Sequence, residues 1–171
     1  MESAFPEIAG RFRKEGEDVK KLKCVEPPPG RLVGERMYEF WLGLDRRLAT
    51  ISRNPADRSK RRMRSWFDAV IDAAAWAQHS LSSIHPFCNG NGRVARLLTN
   101  VILRRYALPP SRVKYEGEAR EAYLNAMCQI DHHGDYEPLK KLIAKSVDDA
   151  LREEMAWPPP SLIDNGMLSQ H

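Results

Sequence analysis

His85, Asn89, Gly90, Asn91, Gly92, Arg93 and Arg96 fall within one short strip, His85-Pro86-Phe87-Cys88-Asn89-Gly90-Asn91-Gly92-Arg93-Val94-Ala95-Arg96. The strip combines a proton acceptor, an amide oxygen able to meet a metal, two glycines and two guanidinium groups. Glycine lets the backbone approach a ligand closely and take positive φ. The free N–H groups of a helix's first turn, at the positive end of its dipole, bind phosphate. Arg93 and Arg96 lie one turn apart, so both reach a polyphosphate lying across that helix start. A neutral imidazole with a pKa near ~6.5 accepts a proton at physiological pH. Pro86 restricts the backbone beside it. Together these parts describe a group-transfer site, with phosphates held at the helix and a base beside them.

Taken singly, the parts are ordinary. A Gly-Asn-Gly turn before an Arg-bearing helix is a common helix start. A lone His after an apolar helix is more often a hydrogen-bonded structural residue than a base. Their joint order and spacing carry the assignment. A P-loop is excluded, because no Gly-Lys-Ser/Thr follows any Gly-rich run.

The rest of the chain must position this strip. Its 171 residues suit one domain with a real core. Hydrophobic content of 42% and charged content of 29% fit a globular protein. No apolar run reaches about 18 residues, so no transmembrane helix and no membrane partner are expected. The N-terminus lacks a charged region followed by an apolar one, which argues against a signal peptide. Cys24, Cys88 and Cys128 are an odd, widely spaced set and are expected as reduced thiols in a cytoplasmic compartment. Net charge is a mild +4, much of it in Arg58-Ser59-Lys60-Arg61-Arg62-Met63-Arg64. That run reads as a solvated first helical turn. No zinc-finger spacing or aromatic RNA-binding motif accompanies it, so no specific nucleic-acid partner is expected.

Residues 1–10 form a short lead-in. Residues 11–25 alternate partially around Glu15-Gly16-Glu17, which suggests a mostly polar β-hairpin projecting from the body. Pro27-Pro28-Pro29-Gly30 breaks the chain. Residues 31–49 read as a helix burying Leu32, Met37, Phe40, Trp41, Leu44 and Leu48. Asn54-Pro55 resembles an N-cap and first turn, opening a helix to about residue 83. Its stripe runs from Met63 through Trp66, Val70, Ile71, Ala74, Ala77 and Leu81 to Ile84, and marks the central buried helix. A helix from 91 to about 106 is expected to bury Val94, Leu97, Leu98, Val101, Ile102 and Leu103. Two more are expected at 117–132 and 136–155, and a Pro-rich flexible tail at 157–171. The expected architecture is all-α, with residues 26–156 as a compact helical core carrying one protruding hairpin.

The strip resembles the Fic signature, HPFx(D/E)GNGRxxR, departing only where Asn89 replaces Asp or Glu. The resemblance covers about residues 10–145. It takes in residues 11–25 as a hairpin "flap", His79-Ser80-Leu81-Ser82-Ser83-Ile84 as the run-in with a structural His79, and two later helix motifs beginning at Arg120 and Gly134. It implies an all-helical core and transfer of AMP from ATP to a Ser, Thr or Tyr hydroxyl of a target protein. His85 would be the base. The Gly90–Gly92 backbone, with Asn91 between, would form the anion hole. Arg93 and Arg96 would meet the β- and γ-phosphates, Asn89 would hold Mg²⁺ or Mn²⁺, and Tyr123 would line the base pocket. Phe87 would point into the core and anchor the loop. Flap residues Lys20, Lys21, Leu22 and Lys23 would align the target by main-chain hydrogen bonds.

An amide brings a dipole to the cation where a carboxylate brings a charge, so weaker metal binding and slower reaction are expected. Asn89-Gly90 is also prone to spontaneous deamidation, which would create an acid there; peptide mapping showing intact Asn89 in active protein would sink that idea. The family's inhibitory (S/T)xxxE(G/N) helix has no match in the chain. A separate antitoxin-like inhibitor, a longer parent chain, or no need of inhibition would each account for this. Another donor (UTP, GTP or a phosphocholine carrier) and a catalytically weak nucleotide-binding or interaction module are the alternatives. A phosphotransferase of the Doc branch is disfavoured, because Gly92 stands where that branch has Lys. A metal site at Cys128, His132 and His133 lacks a fourth ligand. The protein would act in the cytoplasm of its own cell or of a host.

Overall fold

The computed structural model describes residues 10–17, 19, 24, 26–53, 55, 57–112 and 117–155. Among them are five α-helices: α1 (Val33–Ala49), α2 (Lys60–Ile84), α3 (Asn91–Arg105), α4 (Gly117–His133) and α5 (Glu137–Met155). A single 3₁₀ turn, Gly30–Leu32, leads from the proline run into α1. The all-α expectation holds for these residues, with helix ends within two residues of the expected ones except at the start of α2.

That helix begins five residues after Pro55, at Lys60. The carboxylate of Asp57 accepts the Ser59 N–H at 2.8 Å, a local turn that competes with helix before Ser59. Ser59 then caps the helix through its carbonyl, which accepts from Met63. The basic run lies exposed across this first turn, as a solvated face should.

Helix α2 is the centre, packed against α1, α3 and α5. Ala73, Ala74, Ala75 and Ala77 are at most 2% exposed. Consecutive small side chains are what allow helices to close on α2 from several directions. Ile71, Ile102, Leu103, Leu139, Ile143 and Val147 fill the core around it. Phe40 of α1 stacks on Trp76 of α2, with centroids 5.5 Å apart, and Arg47 covers the same indole. Val94, Leu97 and Val101 depart from expectation, being 36%, 63% and 57% exposed. Only the face of α3 bearing Ala95, Thr99, Ile102 and Leu103 meets the core. Trp41 is likewise half exposed.

The expected hairpin is not seen, since no strand occurs among the described residues. Its turn is present: Glu17 N–H donates to Lys14 C=O at 3.2 Å, and Gly16 has φ +78°. Arg11 clamps that turn through Glu17, whose carboxyl it holds down to about 2. The arm before the turn does not form a ladder, because the Arg13 N–H is given to Pro86 C=O at 2.8 Å. Much of the second arm lies outside the described residues.

The cysteine expectation is also corrected. Cys24 and Cys128 form a disulfide, with Cα atoms 5.4 Å apart, and only Cys88 is a free thiol. Distance along the chain concealed the pair: the partners stand 104 positions apart in sequence, and only the fold brings them together. Closing so long a loop stabilises by about 2–5 kcal/mol, chiefly through the unfolded chain. Reduction, or Cys24→Ser, should therefore lower Tm by about 5–15 °C. A melt in dithiothreitol that matches the oxidised melt would show that the bond contributes nothing.

Candidate functional site

The site begins where α2 stops. His85 follows the helix with φ 51° and ψ 58°, a left-handed conformation. For a residue other than glycine this costs about 1–3 kcal/mol and persists only where the surroundings hold it. Its Nδ1 lies 3.2 Å from the Ser82 carbonyl oxygen. A carbonyl only accepts, so Nδ1 carries the hydrogen and Nε2 is left as the basic nitrogen. Burial pushes the ring below its usual 6.5; the bond to Ser82 opposes this and the charge of Arg13 adds to it. The imidazole is thereby held neutral, the form a general base needs.

The loop then turns into α3. Gly90 takes φ 84° at the N-cap, which a glycine does at no steric cost. Val94 N–H is the first to find an intrahelical acceptor, Gly90 C=O at 3.0 Å. The N–H groups of Asn91, Gly92 and Arg93 are therefore left at the helix start, where an anion is favoured. The Asn91 side chain has a role of its own. The residue as a whole is 2% exposed. Oδ1 accepts the Phe87 N–H at 2.8 Å and Nδ2 donates to Phe87 C=O at 2.6 Å. The side chain thus pins the loop, and only its main chain remains to meet phosphate. Asn91→Ala should lower stability by about 1–3 kcal/mol, the cost of stranding buried polar groups. A urea midpoint unchanged from the parent would mean the loop holds itself. Phe87 is half-buried and packs on Phe12, with ring centroids 5.8 Å apart.

Both arginines fold back over this helix start. A Cβ on Gly90 would lie 3.3 Å from Arg93 Nη2, and one on Gly92 would lie 3.2 Å from Arg96 Nη1. Gly92 thus makes room for Arg96. Two guanidinium groups, the helix dipole and the first-turn amides give one positive cradle.

Asn89 is exposed, and its Oδ1 accepts the Gly90 N–H at 2.7 Å. A carbonyl oxygen has a second lone pair, and an amide oxygen is a ligand type for hard cations. Asn89 therefore fits as a supplementary ligand; phosphate oxygens and water would supply the rest of the shell. Among the described residues no cluster of His, Cys, Asp and Glu could hold a metal alone. Cys128 of the candidate Cys128, His132, His133 set is taken up by its disulfide.

A cavity of about 190 Å³ joins these parts, lined by His85, Gly92 and Arg96 on one side and Tyr123, Leu124 and Met127 of α4 on another. Tyr123 thus stands in the same cavity as His85. Asn89, Gly90 and Arg93 lie outside its lining. Lys20, Lys21, Leu22 and Lys23 lie outside the described residues.

Sequence reasoning missed several supports. Asp131, also lining the cavity, meets His79 Nε2 through Oδ1 at 2.6 Å, and Tyr136 packs edge-on to that ring. This ties the run-in on α2 to α4. Arg13, in a segment read as polar flap, is 4% exposed and donates to His85 C=O. Neither partner is close in sequence to what it holds, so no spacing signals it. Burial raises the Cys88 thiol above its usual 9.0, and Glu17 raises it further, so it stays protonated.

The Fic/DOC family model matches residues 2–103. The chain is 38% identical over 152 residues to "Protein adenylyltransferase fic-1" of Caenorhabditis elegans, covering 88% of this chain and 25% of that one. It is 32% identical over 169 residues to "Protein adenylyltransferase Fic" of Culex quinquefasciatus, covering 95% and 29%. A solved structure, "Fic-1 (aa134 - 508) from C. elegans", superposes with a TM-score of 0.60 at 27% identity, covering 86% of this chain and 37% of that chain. The chain spans less than a third of the length of these curated relatives. The family model covers more than half of the 171 residues, and the chain belongs to the Fic/DOC family.

Proposed function

We propose that this chain transfers AMP from ATP to a Ser, Thr or Tyr hydroxyl of a target protein. The observation that carries the reading is one cavity lined by a neutral His85, by the glycine and arginine of a helix start, and by Tyr123. Adenylyltransferase names among its relatives support it. His85 Nε2 takes the hydroxyl proton. The oxygen attacks the α-phosphorus, a new P–O bond forms, and the bond to the bridging oxygen breaks, releasing pyrophosphate. Arg93, Arg96 and the first-turn amides of α3 hold the charge on the β- and γ-phosphates. Mg²⁺ or Mn²⁺ bound to the nucleotide, with Asn89 as a weak ligand, would neutralise part of that charge. The target would dock on the segment bearing Lys20, Lys21, Leu22 and Lys23, and an antitoxin-like protein would be the inhibitor. No helix among the described residues is long and apolar enough to cross a membrane.

The test is transfer of label from ATP labelled at the α-phosphate onto the chain itself or lysate proteins, with Mg²⁺ or Mn²⁺. Label retained through denaturing electrophoresis supports the reading. The neutral ligand at Asn89 favours one second reading, a catalytically weak nucleotide-binding module. ATP binding without label, in both the parent and Asn89→Asp, would establish that instead; label from UTP or GTP alone would change the donor.

A further inference from the structure

We infer that Arg13 is a positioning residue for His85, fixing the main chain of the base through consecutive carbonyl groups. The inference rests on the reading of His85 as the base. Arg13 is 4% exposed on a segment whose neighbours Phe12 and Lys14 are exposed. Buried arginine is rare unless its donors are met. Here Nε and Nη2 are met by backbone. Nε donates to His85 C=O at 2.7 Å, and Nη2 to Ile84 C=O at 3.4 Å and to Pro28 C=O. The Arg13 main-chain N–H donates to Pro86 C=O at 2.8 Å. One residue therefore takes the carbonyls of Ile84, His85 and Pro86 in sequence.

These are groups that the end of α2 leaves without helical partners. A cation there also complements the negative end of the helix dipole. The left-handed His85 backbone is thus held by Arg13, while its ring is held by Ser82. Removing the guanidinium frees the main chain while leaving the phosphate cradle of α3 untouched. A lysine cannot substitute, because one ammonium does not present the planar fork that spans these oxygens. Arg96 of α3 and Arg120, Tyr123 and Asp131 of α4 share the cavity with His85. Arg13 is the charged group whose loss moves the His85 titration, and the movement is upward.

The experiment compares the full chain with Arg13→Lys and Arg13→Ala. Melting curves report the fold, ATP titration reports the cradle, and label transfer at saturating ATP reports kcat. NMR of nitrogen-labelled histidines, with His85 assigned through His85→Gln, reports its tautomer and titration. The expected result is ATP affinity unchanged, kcat down by about 10²-fold as for a misplaced reacting group, and His85 titrating higher with loss of the single Nδ1–H tautomer. Added guanidinium should restore part of the rate in Arg13→Ala. Where Arg13→Ala does not fold, Arg13→Lys decides. Unchanged kcat, or kcat and ATP affinity falling together with the melt, would overturn the inference. If the parent and Asn89→Asp transfer no label from any donor, the proposed function fails. The NMR arm then stands alone: a parental His85 signature in Arg13→Lys overturns the role of Arg13, and an altered one sustains it.

Discussion

His85→Ala should lower kcat by about 10²–10⁴-fold, the usual contribution of a general base, and leave ATP affinity near that of the parent. The split follows from the geometry. The elements that hold phosphate (the α3 first turn, Arg93 and Arg96) do not depend on the imidazole for their placement. His85 does make a hydrogen bond to Ser82 C=O, but through Nδ1. The proton-accepting Nε2 is what the substitution removes from the reaction. The pH dependence is signed. Burial keeps the imidazole pKa below 6.5. Above that pKa the ring is neutral and competent; as pH falls through it, the ring charges and activity is lost. The acid limb of kcat/KM should therefore lie below 6.5, with full activity at neutral pH. Rates measured from about pH 5 to 8 would check this, since His is the side chain that ordinarily titrates there. A limb above 6.5, or His85→Ala keeping parental kcat, would remove His85 from the role of base.

The parts legible in the sequence were those with local causes. Helix period, the proline breaks and the ordered strip gave α1 to α5 and put His85 before a glycine-rich helix start. The late start of α2 has a local cause, the Asp57–Ser59 turn; the rest of what escaped depends on contacts between distant positions. Leu97 and Val101 have the apolar character of a core face, yet periodicity cannot say whether anything packs on it. Asn91 lies in the loop as a phosphate ligand would, and only the fold shows its side chain directed at Phe87. Arg13 reads as one cation among many in a basic segment; its burial comes from α2 ending just where that segment crosses. The Cys24–Cys128 bond is likewise a product of tertiary proximity. The Lys20–Lys23 reading depended on a hairpin whose second arm lies largely outside the described residues.

Asn89→Asp should raise the rate of transfer in Mg²⁺ or Mn²⁺ by about 10²-fold, the scale on which one electrostatic stabiliser acts. The substitution is close to a pure change of charge. Asn89 Oδ1 serves the loop as acceptor for the Gly90 N–H at 2.7 Å. A carboxylate keeps that acceptor and offers a second oxygen, so the left-handed Gly90 and the start of α3 stay as they are. The side chain is exposed, so the new charge carries little desolvation cost. What changes is the ligand offered to a divalent cation, from a neutral dipole to an anion. The gain should therefore depend on the metal, with half-saturation at lower Mg²⁺ than in the parent. Asn89→Ala supplies the contrast, because it removes the acceptor as well as the ligand and should fall below the parent. Equal rates for Asn89→Asp and the parent at every metal concentration would show that Asn89 does not face the cation. A parent already as fast as Asn89→Asp after storage would instead point to deamidation at Asn89-Gly90. Peptide mass measurement separates the two, since only deamidation converts Asn89 to an acid in the parent chain.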